Sequence, residues 1–321
     1  MARLINAHAP GAEPIAAPVS RFSEHWLALR EGADANARAT ALLPALRLWL
    51  HAQLPANDTT PKVANILDLG CGTGSNLRWL SPRLAKPQHW TLLDNDPQLL
   101  AQADLALQHW TGLPVQSGDG NLLQLNNGVS ATLTRADLDR QIPSLDEFHL
   151  LSASALLDLV SRRWLSTLVE QAAQRDIGLL FALNYDGRMR FTPAHPADAR
   201  IRDALNRDQL TDKGFGPALG PGCVAALHSA CLTHGYRIGQ WRSDWHLGAD
   251  EHALHLQLVD DFASIAERQM GPAVADPGAI LTWRRWRRAH IDESTLRIGH
   301  VDVLALPGKR HRLSATCVEP K

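Results

Sequence analysis

Apolar positions along the chain fall into two kinds of run. Short runs at 63–69, 90–93, 131–135, 148–151, 177–183, 236–241 and 299–306 read as strands, the fifth apolar apart from its glycine and the last alternating before it stays apolar. Between them, apolar residues recur at three- and four-residue steps over 75–84, 99–110, 155–175 and 224–234, the pattern of helices that bury one face. Residues 251–290 predict two more helices, separated at 271–277. Ahead of the first strand, Phe22, Trp26 and Leu29, then Leu42, Leu46, Trp49 and Leu50, repeat with helical spacing. Pro44 predicts a break in that stretch, because an interior proline removes a hydrogen bond and crowds the preceding turn. Pro97 suits the first position of a helix and Gly235 the residue after one. Strands that are apolar throughout and alternate with helices predict an α/β fold: a seven-stranded, mostly parallel sheet with helices on both faces. In such sheets ligands bind beyond the carboxyl ends of the strands.

Composition narrows the function. Among 321 residues, 32 Lys and Arg face 33 Asp and Glu, a net charge of −1 that disfavours gripping nucleic acid by bulk charge. There is no apolar run of about 18 residues, so a membrane-spanning helix is not expected. The Ala- and Pro-rich start lacks the apolar core of a secretory signal. Cysteines at 71, 223, 231 and 317 form no CxxC pair, which fits a cytoplasmic protein without structural zinc. The 15 histidines show no HExxH spacing, and no metal site is expected.

The first strand runs into Asp68-Leu69-Gly70-Cys71-Gly72-Thr73-Gly74-Ser75-Asn76. Alternate glycines allow a tight turn and the close approach of a ligand to the backbone. A dinucleotide fingerprint would place its third small residue at Ser75, where the match is imperfect. The spacing from Asp68 through Gly70, Gly72 and Gly74 instead resembles the first motif of the class I S-adenosylmethionine-dependent methyltransferases. The resemblance covers roughly residues 20–308 and is strongest over 63–160.

The resemblance implies a Rossmann-like sheet whose last strand, 299–306, lies antiparallel between the fifth and sixth. It implies S-adenosylmethionine as cofactor, held by Asp68, Gly70, Gly72, Thr73, Gly74 and Asn76 at the loop. Asp94 and Asn95 at the second strand end would face the ribose, Asp137 and Leu138 after the third the adenine, and Ser152 the region after the fourth. His149 stands where the family often has Asp. A carboxylate suits vicinal hydroxyls because it accepts twice, and the same holds in a nicotinamide oxidoreductase, the competing enzyme class. A strand-end carboxylate can also simply cap the following helix.

The acceptor is expected to be a small molecule. No NPPY tetrad or Pro-Cys nucleophile follows the fourth strand, which disfavours those nucleic-acid chemistries. Candidate catalytic groups are Asp158, Tyr185 and Asp186. Trp241, Asp244 and Trp245 are candidates for the wall of an acceptor pocket, or for core. Arg30 and Arg38 are candidates to meet the methionine carboxylate, or simply solvated surface. Trp283-Arg284-Arg285-Trp286-Arg287-Arg288 is the one basic, aromatic stretch, and supports an RNA methyltransferase as an alternative. A non-catalytic cofactor-binding module is a third. The expected organisation is a tail at 1–18, a helical cap at 19–60, the main domain at 61–308 with a lid-like insertion at 184–222, and a tail at 309–321. The sequence does not fix an oligomeric state.

Overall fold

The computed structural model describes residues 22–54, 62–111, 116–117, 122–125, 128–274 and 277–308. Both expected tails lie outside them. One sheet contains β1 (Ala64–Leu69), β2 (Gln88–Asp94), β3 (Gln116–Ser117), β4 (Leu122–Leu125), β5 (Val129–Arg135), β6 (Leu150–Ser154), β7 (Gly178–Thr192), β8 (Tyr236–Arg242), β9 (Trp245–Leu247) and β10 (Thr295–Pro307). Their order is β3-β4-β5-β2-β1-β6-β7-β10-β8, with β9 paired to β10 off that path. The strands β5, β2, β1, β6 and β7 are parallel. The last strand, β10, runs antiparallel between β7 and β8, as expected. Three strands were not legible in the sequence: the antiparallel β3–β4 hairpin at the edge and β9.

The helices are α1 (Glu24–Ala37), α2 (Leu43–Gln53), α3 (Ser75–Leu80), α4 (Pro97–Thr111), α5 (Arg162–Gln174), α6 (Asp198–Asp208), α7 (Cys223–Thr233), α8 (His252–Val274) and α9 (Pro277–Ala289). One core joins α5 and α7 to a sheet face through Leu165, Leu168 and Leu227. A second joins α2, α3 and α4 to the other through Leu46, Leu77 and Leu100. Here the Trp49 ring lies 2.8 Å from where a side chain on Gly178 would begin, so only glycine lets α2 pack onto β7. A third core forms where β7 and β10 run past the sheet as a ribbon, with Arg190 opposite Arg297 and Thr192 opposite Thr295. Phe191, Leu205, Leu258 and Trp283 bring α6, α8 and α9 onto that ribbon, and Ala33 joins α1 to the same cluster.

Several boundaries differ from the sequence reading. Pro44 falls in the first turn of α2, where its missing N–H costs nothing; the break lies just before it, in a 3-10 turn over Thr40–Leu42. The helix expected over 155–175 begins at Arg162, because Ala155 has φ of 53° and the Ser161 hydroxyl accepts the Trp164 N–H at its N-terminus. The insertion at 184–222 contains the outer half of β7 and α6. The helix α8 continues through Gly271, leaving only 275–276 of the expected separator, outside the described residues.

Candidate functional site

The loop after β1 turns through three left-handed glycines, Gly70 (φ 62°), Gly72 (54°) and Gly74 (77°), before α3 begins. At Gly72 that conformation would strain any other residue. The Gly72 N–H donates to Asp94 Oδ2 at 2.9 Å, and Asp94 Oδ1 accepts the Asp96 N–H at 3.0 Å. Asp94 therefore braces the loop from the tip of β2, and each of its oxygens keeps a further lone pair for another donor. Burial holds its pKa above the ordinary carboxylate value, against hydrogen bonds from Asp96 and Gly72. The helix-capping role next door belongs to Asp96, whose Oδ1 accepts the Gln98 N–H. The space beside the glycines is lined by leucines: Leu27 Cδ1 stands 3.0 Å from where a Gly72 Cβ would be, and Leu156 Cδ1 3.4 Å from that of Gly70.

Beneath the loop lies a buried polar cluster. Asn76 Nδ2 donates to Asp68 Oδ1 (2.6 Å) and to Ser152 Oγ (2.8 Å). Its Oδ1 accepts Arg38 Nη1 at 2.9 Å. Asp68 Oδ2 has no hydrogen-bond partner, and burial pushes the Asp68 carboxyl up to about 7, against the Asn76 hydrogen bond and the Arg38 charge. Arg38 is not solvated surface. It is 6% exposed, its guanidinium lies 4.2 Å from the Trp79 ring centroid, and Nε and Nη2 make no hydrogen bond. Its counter-charge, Asp302 in β10, stands 3.6 Å away. Each Asp302 oxygen accepts one backbone N–H, from Leu183 (2.7 Å) and Ala39 (2.9 Å). A cavity of about 260 Å³ opens between α1 and α3, and Arg38, Ser75, Asn76, Trp79 and Ser154 are among its walls.

The remaining sequence candidates scatter more widely. Asp137, at the tip of β5, is half-exposed and pairs with Arg140 at 3.1 Å. Leu138 is buried, and its carbonyl accepts the Trp164 indole N–H at 2.6 Å. The Asn95 carbonyl accepts Arg135 Nε and the Thr73 carbonyl Arg78 Nη1. The loop, Asp94, Asp68, Asn76 and Ser152 thus form one connected set; Asp137 and Leu138 stand on the neighbouring strand tip. Sequence reasoning missed Leu27 and Asp302. A charge inside the apolar run 301–306 was the one available sign of Asp302.

Of the candidate catalytic groups, Asp158 alone keeps an unused oxygen. Its Oδ1 is buried without a partner, and burial pushes its carboxyl up to about 6. The Tyr185 hydroxyl donates to Asn206 Oδ1 at 2.8 Å, and burial, with the Asp186 and Asp158 charges, pushes it far above its ordinary value. Asp186 accepts the N–H (3.0 Å) and Nε (2.6 Å) of Arg188. Asp244 is sealed into the ribbon by Arg188, Arg297 and the His300 N–H. Trp245, buried in the third core, donates its indole N–H to Asp34 at 3.0 Å. The basic stretch of α9 is spent on intramolecular pairs. Trp283 and Arg287 hold Asp198 on α6, and Arg284 and Arg288 hold Asp260 on α8. Trp283 and Arg287 are therefore buried, while Arg284, Arg285 and Arg288 remain wholly or partly exposed on the surface of α9. Among the described residues, no group of His, Cys, Asp or Glu is arranged to hold a metal, and no helix is long and apolar enough to cross a membrane.

No protein-family model matches the chain, and no curated protein matches it. Solved structures do resemble it. A SAM-dependent methyltransferase from Geobacter sulfurreducens, in complex with S-adenosyl-L-homocysteine, is 15% identical over 89% of this chain and 99% of its own, with a TM-score of 0.41. The YcgJ protein of Bacillus subtilis is 13% identical over 84% of this chain and 99% of its own, at 0.45. The cyclopropane synthase MmaA2 of Mycobacterium tuberculosis is 11% identical over 88% and 94%, at 0.42.

Proposed function

We propose that the chain is a class I S-adenosylmethionine-dependent methyltransferase acting on a small molecule. The observation that carries this reading is the hydrogen bond from the Gly72 N–H to Asp94, which holds a carboxylate from the tip of β2 against the left-handed turn leaving β1. Gly74 supports it further. It takes up a third left-handed position directly ahead of α3, as the alternate-glycine motif requires, and Ser75 is already helical. That arrangement favours the adenosyl sulfonium over a nicotinamide dinucleotide.

The residues present fit the cofactor. Asp94 retains acceptor capacity for the ribose hydroxyls, and the glycines give the ligand close access to backbone N–H groups. Asp137 and Leu138 on the next tip would face the adenine. Asp68, Asn76 and Ser152 fix the floor of the loop from three elements. The bound cofactor would supply an electrophilic methyl group, and the protein's task is then to align the acceptor in a dry site. Asp158 is the proposed base for that acceptor; although burial raises its carboxyl to about 6, that value still leaves it mostly ionised at neutral pH. Tyr185, buried in the third core and committed to Asn206, is not proposed as the base. Leu27 must give way for a ligand to reach Gly72. The helix that carries it is tied into the third core by Ala33 and to α3 by the Arg78–Glu31 ion pair, so the Leu27 side chain itself is what must move.

Calorimetry with S-adenosylhomocysteine and with NADH tests the assignment. S-adenosylhomocysteine should bind the wild type, and Gly72→Arg, which drives a side chain into Leu27, should abolish that binding while the protein stays folded. Tight NADH binding without S-adenosylhomocysteine binding overturns it. A metabolite screen with labelled methyl donor then addresses the acceptor, and binding without transfer to any metabolite would favour the non-catalytic module.

A further inference from the structure

Two neighbouring strands leave their parallel pairing through strained residues that are not glycine. Ala155 and Leu183 follow the last pair between β6 and β7, Ser154 opposite Ala182, and both hold a left-handed φ of 53°. Such a conformation costs free energy in a residue with a side chain and persists only where its surroundings enforce it. Here the enforcement is visible. The Ala155 N–H donates to the Ala182 carbonyl at 2.9 Å, and the Leu183 N–H to Asp302 Oδ1 at 2.7 Å. The chain leaving these two residues carries Asp158 and Tyr185.

His300 stands opposite Tyr185 across the β7–β10 pairing. It is 6% exposed, and its Nδ1 has no hydrogen-bond partner. Its ring meets the Tyr185 ring at 6.1 Å and the Trp245 ring at 5.0 Å between centroids. Asp158, 8% exposed, likewise leaves Oδ1 open. The two groups share one neighbourhood. Arg30 stacks on Trp245 at 4.9 Å, its charge acts on Asp158 and His300 alike, and the Asp158 charge acts on Tyr185. Buried polar atoms left open are costly, so each calls for a partner that the protein itself does not supply.

The chemistry of the partner follows from what surrounds them. An anion would meet Asp158, while Arg30 Nε and Nη2 are already held by Asp34. An ammonium would stand beside Arg30 and Lys213, whose charges already act on Asp158. Burial lowers the His300 pKa to about 3, so this ring offers a hydrogen bond and no charge. A neutral hydroxyl suits both open atoms, because it donates once and accepts twice. A hydroxyl also needs a base, which a neutral amine does not. On an aromatic ring it ionises at about pH 10, within closer reach of a carboxylate than an aliphatic alcohol. The rings of His300, Tyr185 and Trp245 favour a flat apolar body. Resting on the methyltransferase reading above, we propose that the acceptor is a neutral phenol whose hydroxyl is held by Asp158 and His300. His300 is then the residue that selects for a hydroxyl on the ring.

The test is calorimetry on the protein saturated with S-adenosylhomocysteine, using four probes: phenol, anisole, benzoate and benzylamine. Phenol should bind about tenfold more tightly than anisole, which lacks the donor, and than either charged probe. His300→Leu should remove most of the preference for phenol over anisole. His300→Asn, which keeps a polar atom where Nδ1 stands, should retain it, and S-adenosylhomocysteine affinity should be the same in all three proteins. Equal affinity for phenol and anisole overturns the proposal, as does tighter binding of benzoate or benzylamine, or an unchanged preference in His300→Leu. Binding of S-adenosylhomocysteine with no binding of any probe also overturns it and leaves the cofactor assignment standing. Failure to bind S-adenosylhomocysteine overturns that assignment itself. Should His300→Leu not fold, His300→Gln, whose amide reaches the Nε2 position instead, takes its place.

Discussion

Two buried arginines set the two ends of this molecule apart. Arg287, in the cap over the β7–β10 ribbon, is fully buried and stacks on Phe191 at 4.0 Å; Arg38, beside the glycine loop, is nearly as buried and stacks on Trp79 at 4.2 Å. Arg287 is met by protein at two of its three nitrogens: Nη2 donates to both Asp198 oxygens, at 2.6 and 2.5 Å, and Nη1 to the Pro193 carbonyl, while Nε has no partner. Arg38 has only an amide at hydrogen-bond distance, and its carboxylate also accepts two backbone N–H groups. Burial is the same; satisfaction is not. The Arg287 pair fastens α9 to α6, whereas Arg38 lines a cavity next to the glycine loop.

The comparison predicts opposite costs for removing a partner. Asp198→Ala leaves Arg287 buried without a carboxylate and should destabilise the protein by about 3–5 kcal/mol in urea unfolding. Arg38→Gln removes a charge that is already poorly paired and should change stability by no more than about 1 kcal/mol. Equal losses in the two variants would show that Arg38 is as structural as Arg287.

Next in size is the loop. Asp94→Ala removes the brace on Gly72 and the proposed acceptor of the ribose hydroxyls. S-adenosylhomocysteine affinity should fall about tenfold to a hundredfold, the cost of losing a charged hydrogen-bond partner. Calorimetry on a variant with unchanged circular dichroism reads it. Unchanged affinity would reduce Asp94 to a purely structural brace.

What the sequence made legible follows the same division. Short apolar runs gave all seven strands of the central sheet, and the spacing from Asp68 to Gly74 gave the loop, because both are local patterns. The β3–β4 hairpin was missed because its strands are only 2 and 4 residues long. The ribbon was missed because Tyr185-Asp186-Gly187-Arg188 reads as a turn, yet Tyr185 pairs with His300 across β10 while Asp186 and Arg188 bond each other. Arg38 and Arg287 look alike in sequence. Their difference is set by Asp302 and Asp198, 264 and 89 residues away in the chain, and no periodicity reaches that far.

Acidity separates the two regions by sign. At Asp68 the carboxyl is raised to about 7 chiefly by burial. The folded state therefore holds a proton that the unfolded chain releases near pH 4, and this contribution to stability is lost as pH rises through about 7. At Asp244 burial also pushes upward, but hydrogen bonds from Arg188, Arg297 and the His300 N–H outweigh it, so the pKa is lowered and its contribution is lost as pH falls. Asp68→Asn should remove the first dependence, gaining about 1–3 kcal/mol over wild type between pH 5 and pH 8. Parallel unfolding curves for the two proteins across that window would place Asp68 in an environment that keeps it ionised.

The smallest expected effect concerns the helix that bridges both regions. Through Leu27 α1 touches the loop, through Glu31 it holds Arg78, and through Asp34 it holds Trp245 of the ribbon. Ligand binding at Gly72 must therefore displace a leucine, and its free energy includes whatever holds α1 down. Leu27→Ala removes the obstruction and a contact that favours the closed loop, so S-adenosylhomocysteine should bind the variant more tightly, by about twofold to fivefold, in proportion to the shift toward the open form. Weaker binding would mean that Leu27 packs against the ligand, and that α1 grips what it covers instead of excluding it.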